Sequence, residues 1–162
     1  MSQTLTLRGK WSFHAHGQRI VLSKKSNEGL VHVLMKALLW GLYLPAYPEL
    51  RVEFAVGSRF KPDLVQLDSQ GEVEFWAEAG KVSAKKMRTL VSRHRRTHFA
   101  FAKWETDLSP FCKILDKPMK NNRREAPVDL ISFPRDSAEK FIGADGNIAI
   151  RLSDLTWFRI SA

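Results

Sequence analysis

Hydrophobic and polar positions along the chain follow two different periods, and the change between them separates predicted helices from predicted strands. In the first helical segment the leucines recur at helical spacing, at Leu30, Leu34, Leu38 and Leu42. We therefore predict a helix from an N-cap at Asn27 to about Tyr43, ended by the two prolines that follow. A second helix is predicted from an N-cap at Ser83 to about His94. Its apolar side consists of Ala84, Met87, Leu90, Val91 and His94.

Strands are predicted where apolar and polar residues alternate, or where a short apolar run stands between turns. These segments are residues 4–14, 18–23, 50–56, 62–67, 73–79, 98–104 and 126–133, with strand-like pieces in 147–160. A turn at His16 and Gly17 joins the first two into an N-terminal β-hairpin, and residues 68–71 are turn chemistry between antiparallel strands. Residues 136–142 are predicted as a short helix and residues 117–127 as a basic surface loop. This order predicts a mixed sheet flanked by helices, in a single domain that spans all 162 residues.

Cysteine and histidine content narrows the chemistry that the chain can carry. Cys112 is the single cysteine, which excludes an intramolecular disulfide and a Cys-x-x-Cys metal clip. The five histidines show no spacing typical of a zinc site.

The longest apolar run, residues 30–44, is interrupted by His32 and Lys36, and residues 1–10 lack the apolar stretch of a signal peptide. We therefore expect a cytoplasmic protein with no membrane partner and no small-molecule cofactor.

Positive charge is the most informative property of the composition. The formal net charge is +9 and the isoelectric point is near 9.9, and such a surplus of cations attracts nucleic acid. Six cations lie on or directly after the second predicted helix, at Lys85, Lys86, Arg88, Arg93, Arg95 and Arg96. We expect this basic cluster to bind backbone phosphates, although a solvated helix face explains part of it. An RNA-binding module that stacks bases on Phe99 and Phe101 is a further hypothesis.

Two carboxylates are placed at one end of a predicted hairpin. Asp63 directly follows Pro62 at the start of one strand, and Glu78 stands near the end of the next. If the two strands pair through the turn at residues 68–71, both acids lie at the same end of the hairpin. Carboxylate oxygens, together with a backbone carbonyl such as that of Ala79, are ligands that Mg²⁺ or Mn²⁺ accepts. A turn acid and an exposed strand acid are the simpler interpretations of the same residues.

At these positions the chain resembles the PD-(D/E)XK nuclease-like superfamily, in Pro62 and Asp63, then Glu78, then Lys81. More narrowly, it is similar to the YaeQ family. The matching segments are P-D-L at residues 62–64, G-E-V-E-F-W-A-E-A-G at 71–80, L-S-K-K-S-N-E at 22–28, Trp40 and, more weakly, D-L-T-W at 154–157. The resemblance implies an α/β, restriction-endonuclease-like core: a central mixed sheet flanked by helices, here with an N-terminal β-hairpin. It implies a nuclease-like site more weakly than it implies the fold.

The lysine position departs from the superfamily pattern. That pattern has lysine two residues after the acid, where this chain has Gly80, and Lys81 comes one residue later. A regular strand would point Lys81 away from Glu78, unless a bulge or strand end at Gly80 turns it back. Lys85, at the start of the basic helix, is the other candidate that the resemblance implies. The resemblance also suggests a third acid, Glu28, whose simpler role is to complement the helix dipole.

The leading hypothesis is a Mg²⁺-dependent nuclease that hydrolyses phosphodiester bonds in nucleic acid. Asp63 and Glu78 hold the metal in this hypothesis, with Glu28 as a further ligand, and Lys81 or Lys85 assists catalysis. The alternative is a catalytically inactive nuclease-like fold that binds nucleic acid or a protein partner. The glycine in the lysine position favours that alternative, and the two retained acids favour the enzyme.

Overall fold

The computed structural model describes residues 10–121 and 123–161. Its strands are β1 (Lys10–Ala15), β2 (Gln18–Ser23), β3 (Arg51–Val52), β4 (Leu64–Leu67), β5 (Val73–Ala79), β6 (His98–Trp104), β7 (Val128–Phe133) and β8 (Thr156–Ile160). Its α-helices are α1 (Leu30–Tyr43), α2 (Ala84–Arg93), α3 (Ser109–Asn121) and α4 (Ser137–Phe141), followed by a 3-10 turn at Leu152–Asp154. Residues 4–9 of the first predicted strand lie outside the described residues.

The sheet is mixed, as the sequence predicts. Six strands pair in the order β3-β4-β5-β6-β7-β8, with β5, β6 and β7 parallel to one another and the outer pairs antiparallel. Parallel neighbours need a crossover connection, and α2 and α3 supply the two that this sheet requires. Strands β1 and β2 form a separate antiparallel hairpin. The predicted fold class, a mixed sheet flanked by helices with an N-terminal hairpin, is confirmed.

Helix α1 is buried almost all round, because it contacts both the hairpin and one face of the sheet. Leu34 and Leu38 of the predicted leucine stripe are in the core, whereas Leu30 is 38% exposed. The helix begins at Leu30 after Gly29, and the predicted N-cap at Asn27 is therefore wrong by two positions. Within the described ranges, no helix combines the length and apolar character needed to cross a membrane.

The other face of the sheet is covered by α2 and α3. Trp76, Phe99 and Phe101 are fully buried beneath these helices, which is inconsistent with Phe99 and Phe101 serving as base-stacking platforms. The predicted cap of α2 is confirmed, since the Ser83 hydroxyl accepts the backbone N–H of Lys86 at 3.0 Å.

The predicted basic loop at residues 117–127 is wrong in its first part and in the exposure of Arg124, whereas residues 123–127 do connect a helix to a strand. Its first part belongs to α3, which continues through Pro118 to Asn121. Arg124 is only 5% exposed and donates to the backbone oxygens of Val91, His94 and Thr97. These carbonyls lie in and just after the last turn of α2, where a cation satisfies otherwise unpaired acceptors. Arg124 thus caps a helix instead of adding to a surface patch.

The predicted strand at residues 50–56 is shorter than its alternating pattern indicates. Only Arg51 and Val52 pair with β4, and Glu53 has a positive φ of 55° that ends the strand. The bend turns the Glu53 carboxylate towards α1, where it binds the buried Lys36 at 2.9 Å. The alternating pattern predicts that Glu53 lies on the solvent-facing side of the strand, and the ion pair with Lys36 explains why its carboxylate points inward instead.

Candidate functional site

Asp63 and Glu78 lie opposite each other where β4 and β5 meet. Leu64 pairs with Ala77 in the antiparallel register, so the next pair outward is Asp63 with Glu78. The Asp63 backbone N–H donates to the Ala77 carbonyl at 3.2 Å, which extends the pairing by one residue beyond β4. The predicted placement of both acids at one end of this hairpin agrees with the geometry.

The Asp63 carboxylate is held by two donors. Its Oδ2 accepts the backbone N–H of Ala79 at 2.8 Å and lies 3.4 Å from Nε2 of His32. Burial would raise the pKa of Asp63, but the interactions with His32 and Ala79 lower it below its usual value. Asp63 is therefore a stable anion in the folded protein.

The ionised form of the Glu78 carboxylate is less well stabilised than that of Asp63. It is 4% exposed, and its Oε1 accepts from Lys86 Nζ at 2.9 Å and from Trp76 Nε1 at 3.1 Å. Burial raises the pKa of Glu78, and the nearby charge of Asp63 raises it further, so that the bond from Lys86 compensates only in part. The charge of Asp63 thus opposes the ionisation of Glu78.

Glu28 reaches Asp63 through a histidine. The His32 ring stands between the two acids, with Nδ1 2.5 Å from Glu28 Oε2 and Nε2 facing Asp63. Interaction with Asp63 raises the pKa of His32 above its usual value, although burial opposes the rise. Glu28 also accepts from Lys36 Nζ at 2.5 Å. Burial would raise the pKa of Glu28, and the bonds from Lys36, the Lys25 backbone and His32 lower it.

An open cleft of about 560 Å³ lies over this histidine-linked pair. Its wall includes Glu28, His32, Asp63, Gly80 and Lys81. The β-hairpin end, the start of α1 and the segment after β5 therefore meet at one place, as the sequence predicts for the acids. His32 is the residue that pattern reasoning missed here; its position in the first turn of α1, four residues after Glu28, was the available signal.

Neither candidate lysine, Lys81 or Lys85, contacts Asp63 or Glu78 among the described residues. Lys81 and Lys85 are both exposed, and neither makes an ion pair or hydrogen bond with a carboxylate among the residues that the structure describes. Lys86 instead reaches Glu78, and it lies 5.1 Å from the Phe60 ring centroid. The helix face presented to β5 decides which of two adjacent lysines makes the contact, and residue order alone does not reveal it.

The backbone conformation of Gly80 disfavours a lysine in the superfamily position. Its φ is +87°, a backbone conformation that L side chains rarely adopt. The Gly80 N–H donates to the Ala102 carbonyl at 2.9 Å, and its carbonyl accepts from Lys103 Nζ at 2.5 Å. Lys103 comes from β6 and was not singled out by the sequence; a lysine within a buried strand was the signal.

The basic cluster of α2 is divided between two regions. Lys85 and Lys86 are in its first turn, where Lys86 contacts Glu78. The R-H-R-R segment at residues 93–96 begins at the far end, about 12 Å along the helix axis. There, Arg93, Arg95 and Arg96 line a second cleft of about 950 Å³ together with Arg59. Arg96 pairs with Glu125 at 2.9 Å on the surface.

The carboxylate oxygens of Asp63 and Glu78 are ligands of the kind that a hard divalent cation binds. Among the described residues, no donor contacts Oδ1 of Asp63 or Oε2 of Glu78, so each acid keeps one oxygen available. In the same residues, no three His, Cys, Asp or Glu side chains form a ready-made metal cluster. Mg²⁺ is bound in many proteins by one or two carboxylates, waters and substrate phosphate oxygens. Asp63 and Glu78 fit that mode, which needs no complete protein cage.

These features define an α+β protein with a mixed sheet and an acidic pair at a sheet end. Its fold is similar to two solved YaeQ structures. The YaeQ protein from Pseudomonas syringae has a TM-score of 0.63 and 15% identity, over 96% of this chain and 90% of that one. The YaeQ protein from Xanthomonas axonopodis pv. citri has a TM-score of 0.51 and 17% identity, over 70% of this chain. The match spans 62% of the length of that protein.

No protein-family model matches the sequence, and no curated protein matches it significantly. The structural likeness therefore establishes a YaeQ-like fold, the narrower of the two resemblances that the sequence motifs indicate.

Proposed function

We propose that this protein is a Mg²⁺-dependent phosphodiesterase that acts on nucleic acid, with Asp63 and Glu78 as metal ligands. The observation that carries the proposal is a pair of carboxylates at the ends of adjacent strands, Glu78 buried and Asp63 partly buried. Each has one oxygen that no described donor contacts, and the charge of Asp63 opposes the ionisation of Glu78. A fold gains nothing from this opposition, and a bound cation relieves it. The resemblance to PD-(D/E)XK nucleases supports the same assignment.

The surrounding residues hold the acids in position. His32, backed by Glu28, and the Ala79 N–H orient Asp63, while Lys86 and Trp76 orient Glu78. When bound, Mg²⁺ would polarise a phosphoryl oxygen and lower the pKa of a coordinated water. Glu28 already pairs with Lys36, so we assign it to support Asp63 through His32 and not to coordinate the metal directly.

Nucleic acid would be held by exposed cations outside the acidic pair. Lys81 lines the cleft beside Asp63, and Lys85 and Arg88 are exposed on α2. At the far end of that helix, Arg93, Arg95 and Arg96 offer a second place for backbone phosphates, joined by Arg59. Such contacts bind by charge and without regard to base sequence.

The test is cleavage of mixed single- and double-stranded DNA and RNA with Mg²⁺ or Mn²⁺. We expect metal-dependent cleavage that Asp63→Asn abolishes and Lys86→Ala lowers by about two to three decades, the size of losing one group that supports the transition state. Lys113→Ala, on an exposed position of α3, is the matched control and should cut normally. No cleavage of any substrate, with either metal, would refute the enzyme.

The second candidate is a nuclease-like fold that binds nucleic acid without cutting it. The observation that favours it is the glycine at the lysine position, where the positive φ disfavours any side chain, together with the exposure of Lys81 and Lys85. In this case binding persists in the presence of a chelator and no product forms. Arg93→Glu combined with Arg96→Glu should then weaken binding to all duplexes alike and flatten its salt dependence by about two phosphate contacts.

A further inference from the structure

Lys103 is a buried cation at the end of the parallel strands. It follows Ala102, which pairs with Ala79 in the register between β5 and β6. Strand alternation places it on the same sheet face as Phe101 and, across the register, as Glu78. Its exposure is 6%. A lysine rarely occupies such a position unless a partner compensates its charge.

The contacts of Lys103 leave most of its hydrogen-bonding capacity unused. Its Nζ donates to the Gly80 carbonyl at 2.5 Å and lies 4.5 Å from the centroid of the Phe111 ring. Among the residues that the structure describes, no carboxylate oxygen lies within the 4.0 Å of an ion pair. An ammonium group has three N–H donors, and one carbonyl satisfies a single one of them.

The other interior cations of the described chain, Lys36 and Arg124, have more partners than Lys103. Lys36 is fully buried between Glu28 at 2.5 Å and Glu53 at 2.9 Å. Arg124 donates to three backbone carbonyls. These residues stabilise the fold directly. Lys103 has neither arrangement, although it stands at the end of the sheet where the acids lie.

We propose that Lys103 is an anion-binding residue of this site, and that its ammonium group holds a phosphoryl oxygen of the nucleic-acid substrate beside Glu78. The proposal rests on the phosphodiesterase function and deepens it. An incoming anionic oxygen supplies the acceptor that the interior lacks, and Lys103 and Lys86 then approach Glu78 from β6 and from α2. The positive φ of Gly80 turns the chain after β5, and its carbonyl orients the ammonium until substrate binds.

This role predicts that Lys103 costs stability. Lys103→Met keeps the apolar stem and removes an uncompensated charge, so its melting temperature should equal or exceed that of the wild type by a few degrees. Lys36→Met is the matched contrast, because it removes a buried lysine that is paired. It leaves Glu28 and Glu53 without their partner and should lower the melting temperature clearly. A drop in Lys103→Met as large as that in Lys36→Met would show a structural role and overturn the proposal.

Anion binding is measured separately, with inorganic phosphate against chloride at equal ionic strength and without divalent metal. The background is the Arg93→Glu, Arg96→Glu protein, so that the second cleft does not contribute. In this assay we expect Lys103→Met to weaken phosphate binding at least about tenfold. In the separate cleavage assay with Mg²⁺ or Mn²⁺, it should lower any cleavage rate by about two to three decades. Lys113→Met, at an exposed position of α3, should change neither quantity.

The outcomes separate the two proposals. A wild-type protein that cuts no nucleic acid, but whose phosphate binding depends on Lys103, refutes the phosphodiesterase and supports the anion-binding role. A wild-type protein that cuts, with Lys103→Met equal to it in phosphate binding and rate, refutes the role of Lys103 alone.

Discussion

Asp129 and Glu78 are both buried carboxylates on the same sheet, but their neighbours stabilise the negative charge to different extents. Asp129 is fully buried and accepts from Tyr43 at 2.6 Å, from His98 at 2.8 Å and from Arg159 at 2.8 and 3.0 Å. Burial alone would raise the pKa of Asp129, but the bonds from His98, Arg159 and Tyr43 lower it to about 2. Every part of this cluster favours the ionised form.

Glu78 has only Lys86 and Trp76 as donors, and the charge of Asp63 acts against it. A buried carboxylate with a full set of hydrogen-bond donors, such as Asp129, has a structural role, because removing it leaves several buried donors unpaired. A structural role does not account for Glu78, because its surroundings oppose its ionisation. Perturbed acids of this kind concentrate at functional sites, and the contrast between Asp129 and Glu78 is therefore the main reason to place function at Glu78.

The largest expected effect is the loss of stability on removing Asp129, the fully hydrogen-bonded acid. Asp129→Ala should lower the free energy of unfolding by about 3–5 kcal/mol, because Arg159, His98 and Tyr43 lose a common acceptor. Urea denaturation measures the change. Glu125→Ala, which removes the exposed partner of Arg96, is the control and should cost no more than about 1 kcal/mol. Equal losses in the two variants would remove the distinction between a structural and a functional acid.

The next effect concerns metal binding at the opposed acids. Mn²⁺ at 100 times its dissociation constant should add about 2.7 kcal/mol to the free energy of unfolding, through binding to the folded state alone. Thermal denaturation with and without Mn²⁺ measures this, and both Asp63→Asn and Glu78→Gln should abolish the shift. Asp116→Asn, on the exposed surface of α3, should retain it. A full shift in Asp63→Asn would exclude the metal site.

The smallest effect is the pH dependence of stability without metal. The pKa of Asp129 is about 2 when folded and 3.8 ordinarily, so its contribution is complete above pH 3.8 and is lost as the pH falls towards 2. The pKa of Glu78 is raised, so its charge destabilises the fold at neutral pH, and acid relieves this as the pH falls through the folded value. Glu78→Gln should therefore be at least as stable as the wild type at pH 7, with the difference vanishing in acid. Urea titrations from pH 7 to pH 2 measure both trends, and a Glu78→Gln protein that is less stable at pH 7 contradicts them.

Local sequence patterns were sufficient for the sheet and for the placement of the acids. The alternating segment of β5 and the apolar run of β6 match the predicted residues 73–79 and 98–104, since side-chain period and turn residues are local properties. Asp63 and Glu78 could be placed together because one turn joins their strands. Helix α3 was missed, because prolines and lysines interrupt its apolar positions and its stability comes from packing on α2.

By itself, the sequence determined a mixed sheet flanked by helices, two acids at one end of a hairpin, and an excess of positive charge. Only the tertiary structure decided which cation meets Glu78: Lys86 instead of Lys81 or Lys85. It also brought Lys103, from the neighbouring strand, to the Gly80 carbonyl. It also converted Arg124 from a surface cation to a buried helix cap. The reason is that local period sets which side a residue faces, whereas the partner of a charge depends on elements far apart in sequence, whose approach the burial of apolar surface determines.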